Sequence, residues 1–326
     1  MLEHGGNLAQ AATKFGIPLE NWLDLSTGIN PVGYPVPAIP AQIWQRLPMD
    51  DDGLLDAARN YYSCQHIMAT AGSQAALQVL PTLRKPCVVA VLDPMYKEHA
   101  HAWRSHGHEV RTFTGLQDEA ALNSADVVLL CNPNNPSAAK FDPTDLLDLH
   151  TMLQKRGGWL IVDEAFVDCT PQQSIGQFTH LDGLFVLRSL GKFFGLAGLR
   201  VGFLLAQQAH LNQVQQVIGP WSISGASRYI TKFALADIAW QQTTRARLKT
   251  DSQCLATLLQ TYGLNPDNGT MLFQLVYTPH FEKLHQHLAE HGIWVRLFKE
   301  LGALRFGLPP EHGWQKLEGA LKKLPF

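Results

Sequence analysis
The 326-residue sequence predicts an α/β fold: a large, doubly wound, mainly parallel sheet domain with a smaller α+β domain. Two patterns carry that expectation. Four apolar runs, Cys87–Leu92, Ala125–Cys131, Trp159–Val162 and Phe185–Leu187, lack polar alternation and so read as strands buried on both faces, with helical segments between them. From Met271 to Gly307 strands and helices mix over shorter lengths, as in an α+β domain. The expected boundaries are an N-terminal segment, residues 1–40, belonging to the small domain, then a large domain over 41–225. An interdomain helix and the rest of the small domain follow over 226–326.

Composition suits two cores. Hydrophobic residues make up 46% of the chain and charged residues 17%, and the net charge of -2 leaves no electrostatic footprint for nucleic acid or an acidic membrane surface. Five cysteines, odd in number and without a Cys-x-x-Cys pair, argue against a disulfide framework and for a reducing, cytoplasmic setting. No apolar run reaches membrane-spanning length, and Met1–Asn7 lacks a basic region followed by an apolar core. Neither export signal nor anchor is expected.

In chain order, Trp22–Pro31 leads into Pro35, Pro37 and Pro40, whose spacing opposes regular helix or sheet. The turn Gly28-Ile29-Asn30-Pro31 can present backbone and an amide to a ligand, or be an ordinary turn. Thr70–Leu80 is a small-residue turn opening an amphipathic helix, where free N–H groups attract phosphate. Ser73 and Gln74 are donors there, although helix capping explains Ser73 equally well. Beyond the strand Cys87–Leu92, Tyr96 is placed to stack on a flat ring. His99, His101, His106 and His108 are read as decorating a helix face. No cysteine or carboxylate cluster accompanies them, so no metal site is expected.

The strand Ala125–Cys131 runs into Asn132-Pro133-Asn134-Asn135-Pro136, whose prolines bar a helix and whose amides can point into a crevice. A helix over Pro143–Arg156, capped near Asp142 or Thr144, precedes Trp159–Phe166. Asp163 ends that strand, and a buried acid is costly unless it meets a cation, so it is the candidate partner of a cationic ring nitrogen. After the strand Phe185–Leu187, Lys192 lies among Gly, Phe and Leu, where poor hydration favours a neutral, nucleophilic amine. Ser189, three residues before it, and Arg200, eight after, can reach a phosphate held near that amine. The combination suits pyridoxal phosphate, whose aldehyde takes a lysine and whose phosphate takes an arginine. A lone Ser-x-x-Lys also fits a surface lysine in a glycine-rich turn. Ser227 to about Tyr262 has no proline and reads as one long helical region linking the domains. In the tail, Arg296 and Arg305 emerge from short strands and can hold a substrate's anionic groups, though either one singly also fits a surface ion pair.

With the lysine segment, Asp163-Glu164-Ala165-Phe166 and Asn132–Pro136 together, the chain resembles the fold-type-I pyridoxal-phosphate enzymes of the aminotransferase superfamily. Within them it is similar to the histidinol-phosphate aminotransferase branch, over nearly its whole length. His4-Gly5-Gly6-Asn7, Asp24–Pro31, Val186–Ser189 with Gly191–Phe194, Gly219–Ser222 and Leu304–Pro309 narrow the likeness. They look like the L-threonine-O-3-phosphate decarboxylases of cobalamin biosynthesis, in the form of the aerobic pathway.

That resemblance implies roles. Lys192 is the lysine that takes the cofactor's aldehyde, and Asp163 the partner of its pyridine nitrogen. Tyr96 stacks on the ring, and His99 supports Asp163. Asn135, in preference to Asn132 or Asn134, bonds the ring hydroxyl and borders the substrate. Ser189, Arg200 and the amides of Gly72, Ser73 and Gln74 hold the cofactor phosphate. Arg305 takes the substrate carboxylate, while His4, Gly28, Asn30 and Arg296 serve the substrate's phosphate or neighbouring groups. The implied reaction removes CO2 from L-threonine O-3-phosphate in a cytoplasmic homodimer, and a protein partner from the cobalamin pathway stays open. Two rivals remain: an aminotransferase acting on histidinol phosphate or a related phosphorylated amine, and a non-catalytic assembly partner in cobalamin synthesis.

Three departures bear on the choice. Aminotransferases commonly have Asn-Pro-Thr-Gly where this chain has Asn135-Pro136-Ser137-Ala138, so the loop can close differently. They carry Tyr where this chain has Phe166, which removes a hydroxyl donor. The histidinol-phosphate branch has a Tyr reaching the partner subunit's cofactor phosphate where this chain has Leu47 before Pro48.

Overall fold
The computed structural model describes residues 5–325. Its strands are β1 (Leu23–Leu25), β2 (Ile67–Thr70), β3 (Val88–Leu92), β4 (Glu109–Phe113), β5 (Val127–Cys131) and β6 (Trp159–Asp163). There follow β7 (Leu184–Ser189), β8 (Gly202–Leu205), β9 (Asn268–Thr270), β10 (Phe273–Tyr277), β11 (Ile293–Phe298) and β12 (Ala303–Gly307). Contacts divide the chain into two compact units. One takes the chain up to Gly33, Pro136–Ala138, and everything from Gln242; the other holds Tyr34–Asn135 and Ala139–Gln241.

In the larger unit the sheet order is β2-β8-β7-β6-β5-β3-β4. Strands β3 to β7 pair in parallel, and β8 runs antiparallel to both β7 and β2. Every residue of β5 and β6 is buried, which accounts for their unbroken apolar sequences. The direction of each strand has a consequence for chemistry. The carboxyl ends of β2, β3, β5, β6 and β7 and the amino end of β8 all lie along one edge of the sheet, the edge at which open α/β sheets bind ligands.

The smaller unit carries a sheet of order β1-β11-β12-β10-β9, parallel between β1 and β11 and antiparallel elsewhere. Its core is apolar, with Phe273, Leu275, Val295, Leu304 and Phe306 buried.

The unit boundaries differ from the expected 40 and 225, and the contacts say why. The Tyr34 N–H donates to the Phe194 carbonyl at 2.8 Å and its ring packs edge-on against Trp240, so the proline-rich segment is held by the larger unit. The helix Gly225–Ala236 packs on Leu54–Tyr62, and its Arg228 grips Asp52 with two hydrogen bonds of 2.8 and 2.9 Å. The single long helix expected from Ser227 is instead two, Gly225–Ala236 and Ile238–Thr261. Side chains break it: Gln241 donates to the carbonyls of Ala234 and Leu235, while Asp237 accepts from the Trp240 N–H, so each side of the break has its own cap.

At the Asn135–Ala138 departure, Ala138 adopts a left-handed backbone with φ 57°, a conformation glycine takes freely. The loop thus retains a glycine-type turn, at a cost of about 1 kcal/mol for the added methyl. Among the described residues, no helix is long and apolar enough to cross a membrane.

Candidate active site
Most of the residues singled out as cofactor contacts gather at that one edge of the larger unit. Ser189 and Gly202 are register partners on β7 and β8, and Thr70 faces Gly202 from β2. The Thr70 hydroxyl donates to the Gly72 carbonyl at 2.9 Å, which steadies the turn into the helix Ser73–Val79. Gly72 has φ 69° and caps that helix without a side-chain hydrogen bond, leaving the first N–H groups to other acceptors. Space here is very tight. A Cβ on Gly72 would lie 2.7 Å from the Arg200 guanidinium, and one on Gly202 would lie 2.2 Å from the Ser73 nitrogen. Only glycine lets the three segments meet.

Arg200 itself is exposed, with left-handed backbone at φ 54°, and its guanidinium has no hydrogen bond or ion pair among the described residues. An unpaired cation, a free helix start and the Ser189 hydroxyl, which accepts from the Gly191 N–H at 3.4 Å, form a set suited to a phosphate. Gln74 adds a link not read from the sequence: it accepts from the Tyr96 hydroxyl and donates to Glu98, each at 3.4 Å. Burial, then the charges of Glu98 and Asp163, push the Tyr96 phenol up to about 12, so it stays protonated at neutral pH.

Asp163 closes β6, only 6% exposed. Its Oδ2 lies 2.8 Å from Nε2 of buried His99, and its Oδ1 accepts from the Ala165 N–H at 3.0 Å. The reading of the four histidines as decoration of one helix face therefore needs correction. His99 turns inward to Asp163, and His108 is buried beyond the helix, 2.9 Å from the Pro81 carbonyl and within reach of the Cys87 N–H. Cys131, the register partner of Asp163, completes a buried group with His99 whose possible ligand atoms lie within 4.8 Å of one another. The strand pairing that aligns residues 131 and 163 cannot be read from either strand alone.

Of the asparagines, Asn132 exchanges two hydrogen bonds with the Phe141 backbone, and Asn134 donates to the Pro94 carbonyl at 2.8 Å. Both serve the loop, while Asn135 is half-buried at its end. Lys192 is half-buried, its Nζ 5.4 Å from the centre of the Phe166 ring.

The smaller unit holds the other candidates. Arg305 on β12 and Arg296 on β11 are register partners. Arg305 is 5% exposed, donates to the Ser26 carbonyl at 2.6 Å and lies over the Phe273 ring. Burial, then the neighbouring Arg296 charge, lowers its pKa to about 9, so it remains cationic at neutral pH. Two like charges side by side on paired strands repel, and the Asp24 charge offsets part of that at Arg305. Asn30 is buried, its amide oxygen accepting from the Val32 N–H and from Arg247 at 2.8 Å. Gly28 has positive φ, at 61°. His4 lies outside the described residues.

Comparison with known proteins agrees with this architecture. Residues 52–324 match the family model for aminotransferase class I and II. A threonine-phosphate decarboxylase of Pseudomonas aeruginosa is 49% identical over 98% of this chain and 97% of its own length. Another, from a Sinorhizobium species, is 37% identical over 98% of each chain. Among solved structures, a histidinol-phosphate aminotransferase from Sinorhizobium meliloti, determined in complex with pyridoxal-5'-phosphate, superposes with a TM-score of 0.84 at 19% identity. It covers 99% of this chain and 95% of that one. A parallel sheet whose chemistry-bearing residues share one edge, matched along almost the full sequence, places this chain in the aminotransferase class I and II family.

Proposed function
We propose that this chain is a pyridoxal-phosphate-dependent enzyme that removes CO2 from L-threonine O-3-phosphate, giving (R)-1-amino-2-propanol O-2-phosphate for cobalamin synthesis. The near full-length likeness to two threonine-phosphate decarboxylases carries the reading. The donor set at the sheet edge suits the cofactor, since the exposed Arg200 guanidinium and the helix start without a side-chain cap fit its phosphate, and the paired Asp163 fits a cationic ring nitrogen.

When bound, pyridoxal phosphate supplies an aldehyde for the substrate amine and a ring that accepts the electron pair left by departing CO2. The chain's residues do the rest. Asp163 would hold a proton on the ring nitrogen, and His99 orients that carboxylate. Tyr96 would lie against the ring, and Asn135 would hold its hydroxyl. Arg200, Ser189 and the N–H groups at Gly72, Ser73 and Gln74 grip the phosphate. Lys192 would hold the aldehyde and, freed when the substrate amine displaces it, would hold at Nζ the proton that the alpha carbon takes up in place of CO2. Arg305 holds the carboxylate, and Arg296, with Gly28, Asn30 and His4, serves the phosphoryl end.

Two anions gripped at opposite ends fix rotation about the alpha carbon, and that rotation selects the bond that breaks. Charge-assisted contacts are worth about 1.5–3 kcal/mol each. Unphosphorylated L-threonine is therefore expected to react with a kcat/KM roughly tenfold to several hundredfold lower than its phosphate. Arg305→Ala should weaken use of both, and Arg296→Ala should mainly narrow the preference for phosphate. Release of CO2 and formation of keto acid, recorded together, decide the matter. Equal use of the two substrates would sink this reading, and rapid keto-acid production would favour the aminotransferase alternative.

The proposed assembly is a cytoplasmic homodimer. Its support is a set of exposed apolar side chains on the larger unit, Val36, Trp44, Leu47, Met49, Trp221 and Ile238, with Trp44 at 66% exposure. Trp44→Asp is expected to halve the sedimenting mass at micromolar concentration. A wild-type protein that sediments as a monomer would end the proposal.

A further inference from the structure
Behind the catalytic edge of the larger unit lies a buried ionic network outside the cofactor set. Glu164 follows Asp163 directly, and its N–H donates to the Leu187 carbonyl at 2.9 Å, extending the pairing of β6 with β7 by one residue. Arg188 directly precedes Ser189. Because side chains alternate along strands, Arg188 and Glu164 point to the sheet face opposite Asp163 and Ser189. There the Arg188 Nη1 donates to Glu164 at 2.8 Å and to the Ser174 hydroxyl at 3.0 Å, and Nη2 donates to Asp168. Glu164 also accepts from the Ile175 N–H at 2.8 Å, and the Tyr61 hydroxyl donates to Asp168 at 3.2 Å. The guanidinium lies over the Tyr62 ring, 4.3 Å from its centre. Tyr61 in turn touches Phe194, two residues beyond Lys192.

All three ionic groups are fully or almost fully buried. Burial opposes the charge on Arg188, but Asp168 and Glu164 outweigh it and its pKa rises; burial raises that of Glu164. Buried ion groups of this kind add little net stability over well-packed apolar side chains, so geometry is the better explanation for one here. Each of its members neighbours, in sequence or in contact, a segment that carries a proposed cofactor residue.

We propose that Arg188, held by Glu164 and Asp168, is a positioning residue that locks the carboxyl ends of β6 and β7 so that Asp163 and Ser189 meet the cofactor at one fixed separation. The inference rests on the cofactor roles proposed above for those two residues.

The test is a double-mutant cycle on cofactor affinity. The neutralised variant Arg188→Met/Glu164→Gln/Asp168→Asn leaves no charge within this network, and the cofactor-free protein is expected to melt within a few degrees of wild type. Its dissociation constant for pyridoxal phosphate should rise roughly tenfold, as should that of Ser189→Ala. Combined, the two sets of substitutions should raise it by much less than the product of the separate effects, because each removes the same contact. Multiplicative losses, or a wild-type dissociation constant in the neutralised variant, would overturn the positioning role. No effect of Ser189→Ala alone would overturn the underlying cofactor assignment, a separate and recognisable outcome. Should the neutralised variant not fold, Asp168→Asn, which keeps the shape and one ion pair, enters the same cycle with an expected loss of about threefold. An unchanged or multiplicative result there refutes the proposal equally.

Discussion
Lys192→Ala is expected to abolish turnover, by on the order of 10^4-fold or more, while the protein still folds and still binds pyridoxal phosphate weakly. The lysine is half-buried and packs its amine against the Phe166 ring, so truncation removes few core contacts and should cost about 1 kcal/mol of stability. The proposed phosphate cradle of Gly72, Ser73, Ser189 and Arg200 does not depend on it. Affinity should therefore persist when covalent capture is lost. Borohydride reduction followed by peptide mapping checks the assignment: wild type should carry a pyridoxyl group on the peptide containing Lys192, and the variant none. A pyridoxyl group on any other lysine of the wild type would remove Lys192 from its role.

The parallel strands were legible because burial on both faces leaves an apolar run that side-chain chemistry alone reveals. The edge residues after them were legible by position: Asp163 is an acid where an apolar run stops, Tyr96 an aromatic just beyond a strand end, and Ser189 a hydroxyl three residues before Lys192. What escaped sequence reading depends on pairing across the sheet. Nothing in the run around Cys131 says that it lies beside Asp163, and nothing around Arg188 says that its charge is spent on Glu164 and Asp168. The helix break at Asp237 is not legible because it is made by a Gln241 side chain that donates and an Asp237 side chain that accepts, residues that helices tolerate, with no proline or glycine to mark it. His99 was read in two ways, as surface decoration and as support for Asp163; only the fold of the strand ends separates them.

Asp163→Asn should bind cofactor nearly as well as wild type yet lose about a thousandfold in kcat. The substitution preserves shape, and the amide oxygen can still accept from the Ala165 N–H, so the fold at the end of β6 is maintained. What disappears is a negative charge in a site only 6% exposed. Opposite unit charges about 4 Å apart interact by about 4 kcal/mol at an effective dielectric near 20, whereas one neutral hydrogen bond is worth about 1 kcal/mol. The first figure corresponds to about a thousandfold in rate and the second to about fivefold, so kinetics can tell a charge from a hydrogen bond. In the role proposed for Asp163 the charge would matter most in the transition state, which places the expected loss in kcat at saturating substrate. His99→Ala, which leaves the carboxylate but removes its 2.8 Å partner, should cost far less, on the order of tenfold. The order of the two variants is the decisive measurement. A near-normal kcat in Asp163→Asn would mean that the charge plays no part in the reaction. A larger loss in His99→Ala than in Asp163→Asn would move the essential proton from the ring nitrogen to the histidine.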